Sequence, residues 1–168
     1  MTDSSSRKLS GESYFVTVYT APEEGGWIDV ASSLPGDAFV LAVDGAHLLA
    51  RGSFVACDMG VIIDTKWSGL NNLVSGEGGF ALRVSGKGQL IVSCYGALDI
   101  TKLADGESIA VDSGHLVGWD ETIGMEVVTA GGKLMQELKS GEELVYGMTG
   151  PGRVWRQTRN RMLVPKKR

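Results

Sequence analysis

The chain is short of the residue types that most often carry chemistry. Its 168 residues include two cysteines, two histidines and four prolines. Cys57 and Cys94 sit in the apolar contexts FVACD and IVSCYG. This suits two buried thiols in a reducing compartment, although spacing alone leaves a disulfide open. His47 and His115 have no H-x-H, C-x-x-C or HExxH companion, so the spacing of a metal centre is absent. There is no G-x-S-x-G elbow. Cys57 stands beside Asp58, but no basic partner follows that would activate it. GEGG at Gly76 lacks the strand-turn-helix frame of a dinucleotide loop. GGK at Gly131 lacks the earlier glycine and the following Ser or Thr of a phosphate loop. These gaps assign no catalytic, cofactor or metal residue and argue against an enzyme.

Long apolar runs are missing too. None approaches the roughly 18 residues that cross a bilayer, and the opening MTDSSSRKLSGES is polar, unlike a signal peptide. The expectation is a soluble protein of cytoplasmic type. Helical periodicity is scarce. TKWSGLNNLVS and KLMQELKS each allow a turn of helix, and the second reads equally well as a hairpin arm.

What is abundant is glycine, 24 residues, scattered singly or in pairs between short apolar runs. That pattern indicates many tight turns. The runs are rich in β-branched and aromatic residues: YFVTVY from Tyr14, WIDVA from Trp27, AFVLAV from Ala38, SFVAC from Ser53 and GVIIDTK from Gly60. FALRVS from Phe80, QLIVSCYG from Gln89, ESIAVD from Glu107 and HLVGW from His115 follow, then MEVVT from Met125, LVYGMT from Leu144 and RVWRQT from Arg153. Many short strands between turn signals predict an all-β sandwich or barrel.

The chain also repeats itself. Gly86, Gly88, Leu90 and Val92 precede Gly150, Gly152, Val154 and Arg156 by 64 residues, and SGE at Ser75 precedes SGE at Ser140 by 65. VDGAHLLA from Val43 matches VDSGHLVG from Val111 at a spacing of 68, which would put His47 and His115 at equivalent places. A period near 65 is too long for a solenoid and fits a duplicated β-module. GPG at Gly150 suggests a type II turn between hairpin arms. Glu77 and Glu142 match as well, and read as turn or cap residues rather than an acid-base pair. The organisation read from these features is a flexible leader over 1–12, a first β-module over 13–104, a second over 105–160 and a basic tail over 161–168.

Charge is lopsided. The last acidic residue is Glu143, and seven basic residues follow from Arg153 to the end: Arg153, Arg156, Arg159, Arg161, Lys166, Lys167 and Arg168. Before them stand nine basic against twenty acidic residues, a net charge of −11. The body repels polyanions, while this terminal set is the candidate polyanion-binding site. With Trp155 among its arginines, RVWRQTRNRM is the one segment suited to RNA. The charge of the body disfavours nucleic acid, and an anionic membrane surface is the better fit for the tail.

The phrases GESYFVTVYTAPEEGGWIDVASSLPGD, ARGSFVACD, SGEGGFALRVSGKG, VDSGHLVGWDE and TGPGRVWRQTRN together resemble the altered-inheritance-of-mitochondria, or mitochondrial biogenesis, family, in its bacterial form. The resemblance runs from about Leu9 to Val164. It implies a fold like the tryptophan RNA-binding attenuation protein, with short double-stranded-β-helix-like modules that assemble into rings. It also implies a homo-oligomer, trimer or ring, and a link to membrane or respiratory organisation. Members of the family usually carry one more β-module before the GESFF-like segment, and here the chain opens just upstream of that segment. The expectation is therefore a non-enzymatic, self-associating β-scaffold without a cofactor. The alternatives are a small-ligand or metal-binding β-barrel, and a lipid- or RNA-binding adaptor acting through the basic segment.

Overall fold

The computed structural model describes residues 7–9, 12–14, 17–50, 52–64, 81–128 and 145–160. A short hairpin, β1 (Arg7–Leu9) and β2 (Glu12–Tyr14), comes first. Six strands follow: β3 (Ala38–Val43), β4 (His47–Ala50), β5 (Phe54–Cys57), β6 (Val61–Asp64), β7 (Ala81–Gly86) and β8 (Gly88–Ser93). Six more follow among the described residues: β9 (Leu98–Leu103), β10 (Ser108–Asp112), β11 (Leu116–Asp120), β12 (Gly124–Val128), β13 (Val145–Thr149) and β14 (Gly152–Gln157). A 3-10 turn at Ser113–His115 is the one helical element among the described residues. The protein is all-β, as the sequence predicts.

A six-stranded sheet, β6-β7-β4-β11-β14-β9, is the centre of the molecule, accompanied by two three-stranded sheets, β3-β8-β5 and β10-β13-β12. Neighbours in β4 point to opposite faces of the large sheet, as strand geometry requires. Leu49 joins a core with Leu41, Leu90 and Trp155, while Leu48 joins a second core with Trp119, Tyr146 and Met148. The small sheets thus cover opposite faces. This is why His47–Ala50 is buried at every position, without the alternation of a half-exposed strand.

Numbering six strands within each half, β3–β8 and β9–β14, uncovers one topology used twice. In both halves the sixth strand lies between the first and third, and the fifth lies between the second and fourth. The registers agree in detail. Phe54↔Val92, Ala56↔Ile91 and Cys57↔Leu90 in the first unit correspond to Leu116↔Arg156, Gly118↔Trp155 and Trp119↔Val154 in the second, with a register shift at the same place. Asp58 Oδ2 accepts the Gln89 amide at 2.7 Å, and Asp120 Oδ2 accepts the Arg153 amide at 2.8 Å. By strand pairing the second unit begins at Leu98.

This register corrects one reading of the repeat. His47↔Val84 in the pairing of β4 with β7 corresponds to Ile109↔Met148 in the pairing of β10 with β13. The counterpart of His47 is therefore Ile109. His115 falls in the turn before β11, where the first unit has Ser53. The VD-x-x-HL phrases occupy different strands, so the two histidines are not equivalent.

Other sequence expectations differ locally. Residues 17–35 contain no strand: Tyr14 of YFVTVY ends β2, but the residues from Thr17 on and WIDVA find no ladder partner among the described residues, and a strand exists only by pairing. The β13–β14 turn contains a cis Gly150–Pro151 peptide where the sequence suggests an ordinary type II turn. The two helix-turn candidates, both SGE phrases from Ser75 and Ser140, and the tail 161–168 lie outside the described residues. Cys57 and Cys94 are free thiols, half-buried and buried respectively.

Candidate functional site

β14 carries three of the seven basic residues singled out in the sequence, or leads into them. Arg153 and Trp155 point to one face of the strand and Arg156 to the other. Arg153 is clamped by Asp120, with Nε to Oδ2 and Nη2 to Oδ1 both at 2.9 Å. Its guanidinium also lies 5.7 Å from the centre of the Trp155 ring. Arg156 donates to Asp99, its cross-strand partner, and to Thr101 Oγ1 at 2.8 Å. Arg159 stacks over Tyr95 at 5.5 Å. Two of these three arginines are thus paired with carboxylates of neighbouring strands, while their side chains stay partly open to solvent. Arg161, Lys166, Lys167 and Arg168 lie outside the described residues.

Asp120 gathers a polar cluster at the rim of the first core. His47 Nδ1 lies 3.0 Å from Asp120 Oδ1, and since a carboxylate can only accept, Nδ1 carries the shared hydrogen. The imidazole is 4% exposed and its centre is 5.6 Å from that of the Trp155 ring. Its Nε2 is buried without a hydrogen-bond partner. Burial opposes ionisation of Asp120. The hydrogen bonds from His47 and from the side chain and amide of Arg153, with the Arg153 charge, outweigh it and hold the carboxyl well below the usual carboxylate range. The His–Asp–Arg cluster is fully engaged at Asp120 and lies in the joint between the two units, because Asp120↔His47 is one of the pairs joining β11 to β4.

His115 takes a separate role. Its Nδ1 meets the Gln157 carbonyl at 2.8 Å, while the buried Gln157 side chain bridges Gly114 O and the Tyr95 amide, each at 2.8 Å. A cleft of about 250 Å³ nearby is walled by Asp99, Asp112, His115 and Arg156. Asp112 there accepts the Gly114 amide at 2.7 Å. No group of three His, Cys, Asp or Glu among the described residues could hold a metal ion. Burial pushes the Cys57 thiol up, and the nearby Asp58 charge adds to this, so the thiolate is disfavoured.

A larger cavity lies elsewhere, beside β5. It measures about 490 Å³ and is walled by Phe54–Cys57 on one side and by Thr17, Tyr19 and Ile28–Ala31 on the other. Residues 17–31 are all exposed and include Trp27, at 87%. The sequence reads YFVTVY and WIDVA as short strands; from Thr17 on they are exposed and carry no strand.

No helix among the described residues is long and apolar enough to cross a membrane. No curated protein matches the chain. A family model described as mitochondrial biogenesis AIM24 matches residues 1–159. Among solved structures, the chain is similar to the crystal structure of a protein from Streptococcus pyogenes, with 24% identity and a TM-score of 0.63. The match covers 77% of this chain and 57% of that one. At that identity the likeness concerns fold alone.

Proposed function

We propose that this chain, which belongs to the mitochondrial biogenesis AIM24 family, is a non-enzymatic β-scaffold that works in the cytoplasm by associating with copies of itself. The observation that carries this is the apolar surface beside β5. Val18, Tyr19, Trp27, Ile28 and Val30 are exposed within one stretch of thirteen residues, next to a sheet edge that pairs with no further strand among the described residues. Contiguous apolar surface of this kind marks an interaction site, and an open edge is a template for another strand. A closed oligomer, trimer or ring, covers both.

The polar groups give less support to an enzyme. His47, Asp120 and Arg153 are committed to one another at the joint between units, and His115 and Gln157 to backbone. An anionic membrane surface is the weaker partner, since Asp120 and Asp99 already neutralise Arg153 and Arg156. Light scattering on a sizing column tests the reading. A single symmetric oligomer is expected, and a monomer at all concentrations would overturn it.

A further inference from the structure

The two units are joined by unlike edges. The second strand of the first unit, β4, pairs antiparallel with the third strand of the second unit, β11, through Leu49↔Gly118, Leu48↔Trp119 and His47↔Asp120. The units share one topology, so each unit owns both kinds of edge. The joint uses the second-strand edge of one and the third-strand edge of the other. What remains open is the complementary pair. β5 is the third strand of the first unit and pairs only with β8 among the described residues; β10 is the second strand of the second unit and pairs only with β13. The cavity of about 490 Å³ lies directly beyond β5.

We infer that β10 of one copy pairs antiparallel with β5 of the next, repeating between chains the joint that β4 and β11 make within one. The inference rests on the self-association proposed above and names its surface. A contact between unlike patches is heterologous, and closes into a ring if the rotation per joint allows. The register follows from the equivalences. Ala56 would face Val111 of the second copy, Cys57 would face Ala110, and Asp58 would face Ile109, as Gly118, Trp119 and Asp120 face Leu49, Leu48 and His47. The side chains suit the role. Ala110 is exposed and small, and Cys57 is half-buried, so neither blocks a neighbouring strand. The incoming sheet would also cover apolar residues of 17–31 across the cavity.

Directly opposed residues in an antiparallel pair lie about 4.5–5.5 Å apart between Cα atoms, within disulfide reach. The test is Ala110→Cys in the full chain, oxidised mildly with diamide and run on a non-reducing gel. A ladder of linked chains is expected, ending at the oligomer size measured by light scattering and lost on adding Cys57→Ser. Ile100→Cys, on the exposed edge strand β9, is expected to give no ladder. An oligomer of defined mass without the Ala110→Cys ladder would overturn this joint while leaving self-association in place. A monomer would overturn both. Amide exchange in the unmodified protein gives an independent readout, since residues 54–57 and 108–112 should slow together as concentration rises. Protection that does not change with concentration would contradict the joint.

Discussion

Asp120 accepts from Arg153 three times, through the amide at 2.8 Å and through Nε and Nη2 at 2.9 Å each. One carboxylate therefore fixes both the backbone and the side chain where β14 starts, and reaches across to His47 on β4 as well. The same carboxylate–amide bond at Asp58 and Gln89 has no arginine on it. The second unit has added charge to a bond the first unit makes with backbone alone.

This predicts an acid limb in stability. The native Asp120 carboxyl is held well below its ordinary value, so below about pH 4, the usual Asp range, the unfolded chain takes up a proton that the native chain refuses. Stability from this group is complete above about pH 5 and is lost as pH falls through the native pKa. Denaturant titrations from pH 7 to pH 3 should show the decline, and Asp120→Asn should flatten it. At pH 7 the same substitution is expected to remove about 1–3 kcal/mol, since it leaves the Arg153 and His47 donors short of an acceptor.

Trp155 ties the first core to the second unit. It is 1% exposed, packs beside Phe39 at 6.2 Å and beside His47, and belongs to a core otherwise built mainly by the first unit. Trp155→Ala should cost roughly 3–5 kcal/mol. It should also lower the cooperativity of unfolding, because it weakens the contact between units. Urea melts followed by far-ultraviolet dichroism and by near-ultraviolet bands would then separate, where the unmodified chain gives one transition.

Two glycines test close approach against backbone freedom. Gly152 has φ +147°, and a Cβ there would come within 2.8 Å of Thr122 Oγ1 and 3.0 Å of Ile123. Gly106 has φ +76° and open space around it. Gly106→Ala should lose about 1–2 kcal/mol, for the left-handed conformation alone. Gly152→Ala should lose more, and thermal melts of the two variants side by side give the difference.

Trp27 reports on the apolar surface. Its exposure means that Trp27→Ser removes almost nothing from the folded monomer. The melting temperature measured at high dilution should therefore be unchanged. The oligomer mass at a fixed intermediate concentration should fall, because the proposed association covers that apolar area. A variant with unchanged mass would place Trp27 outside the contact.

The repeated GKG and GPG hairpins were legible because their glycines are dictated by local geometry. At Gly86, φ is +101° and a Cβ would strike Gly60 O at 2.4 Å. Turn chemistry of this kind is written in the residues themselves. β4 was harder to read: HLLA is buried on both faces, so the alternation that signals a strand is absent. β9, LDITKL, is an outer strand with Ile100 half exposed, and its apolar residues do not fall on one face. The histidine phrases misled for a different reason. A repeat in sequence can join unlike positions when the true counterparts have diverged, as His47 has from Ile109. The arginines of β14 looked like a surface set because charge composition carries no partner information. Asp99 and Asp120 lie 57 and 33 residues away in the chain and meet the strand only by folding.

The joint between β4 and β11 has a bearing on how the proposed assembly would depend on concentration. Tethered in one chain, those two edges meet at an effective concentration on the order of millimolar, so that contact stays closed at any dilution. The matching edges β5 and β10 would share no such tether in the proposed joint between chains, and would meet only as often as separate chains collide. One geometry would then exist in a permanent form and in a titratable form. Concentration of the chain would set how much of the second is made.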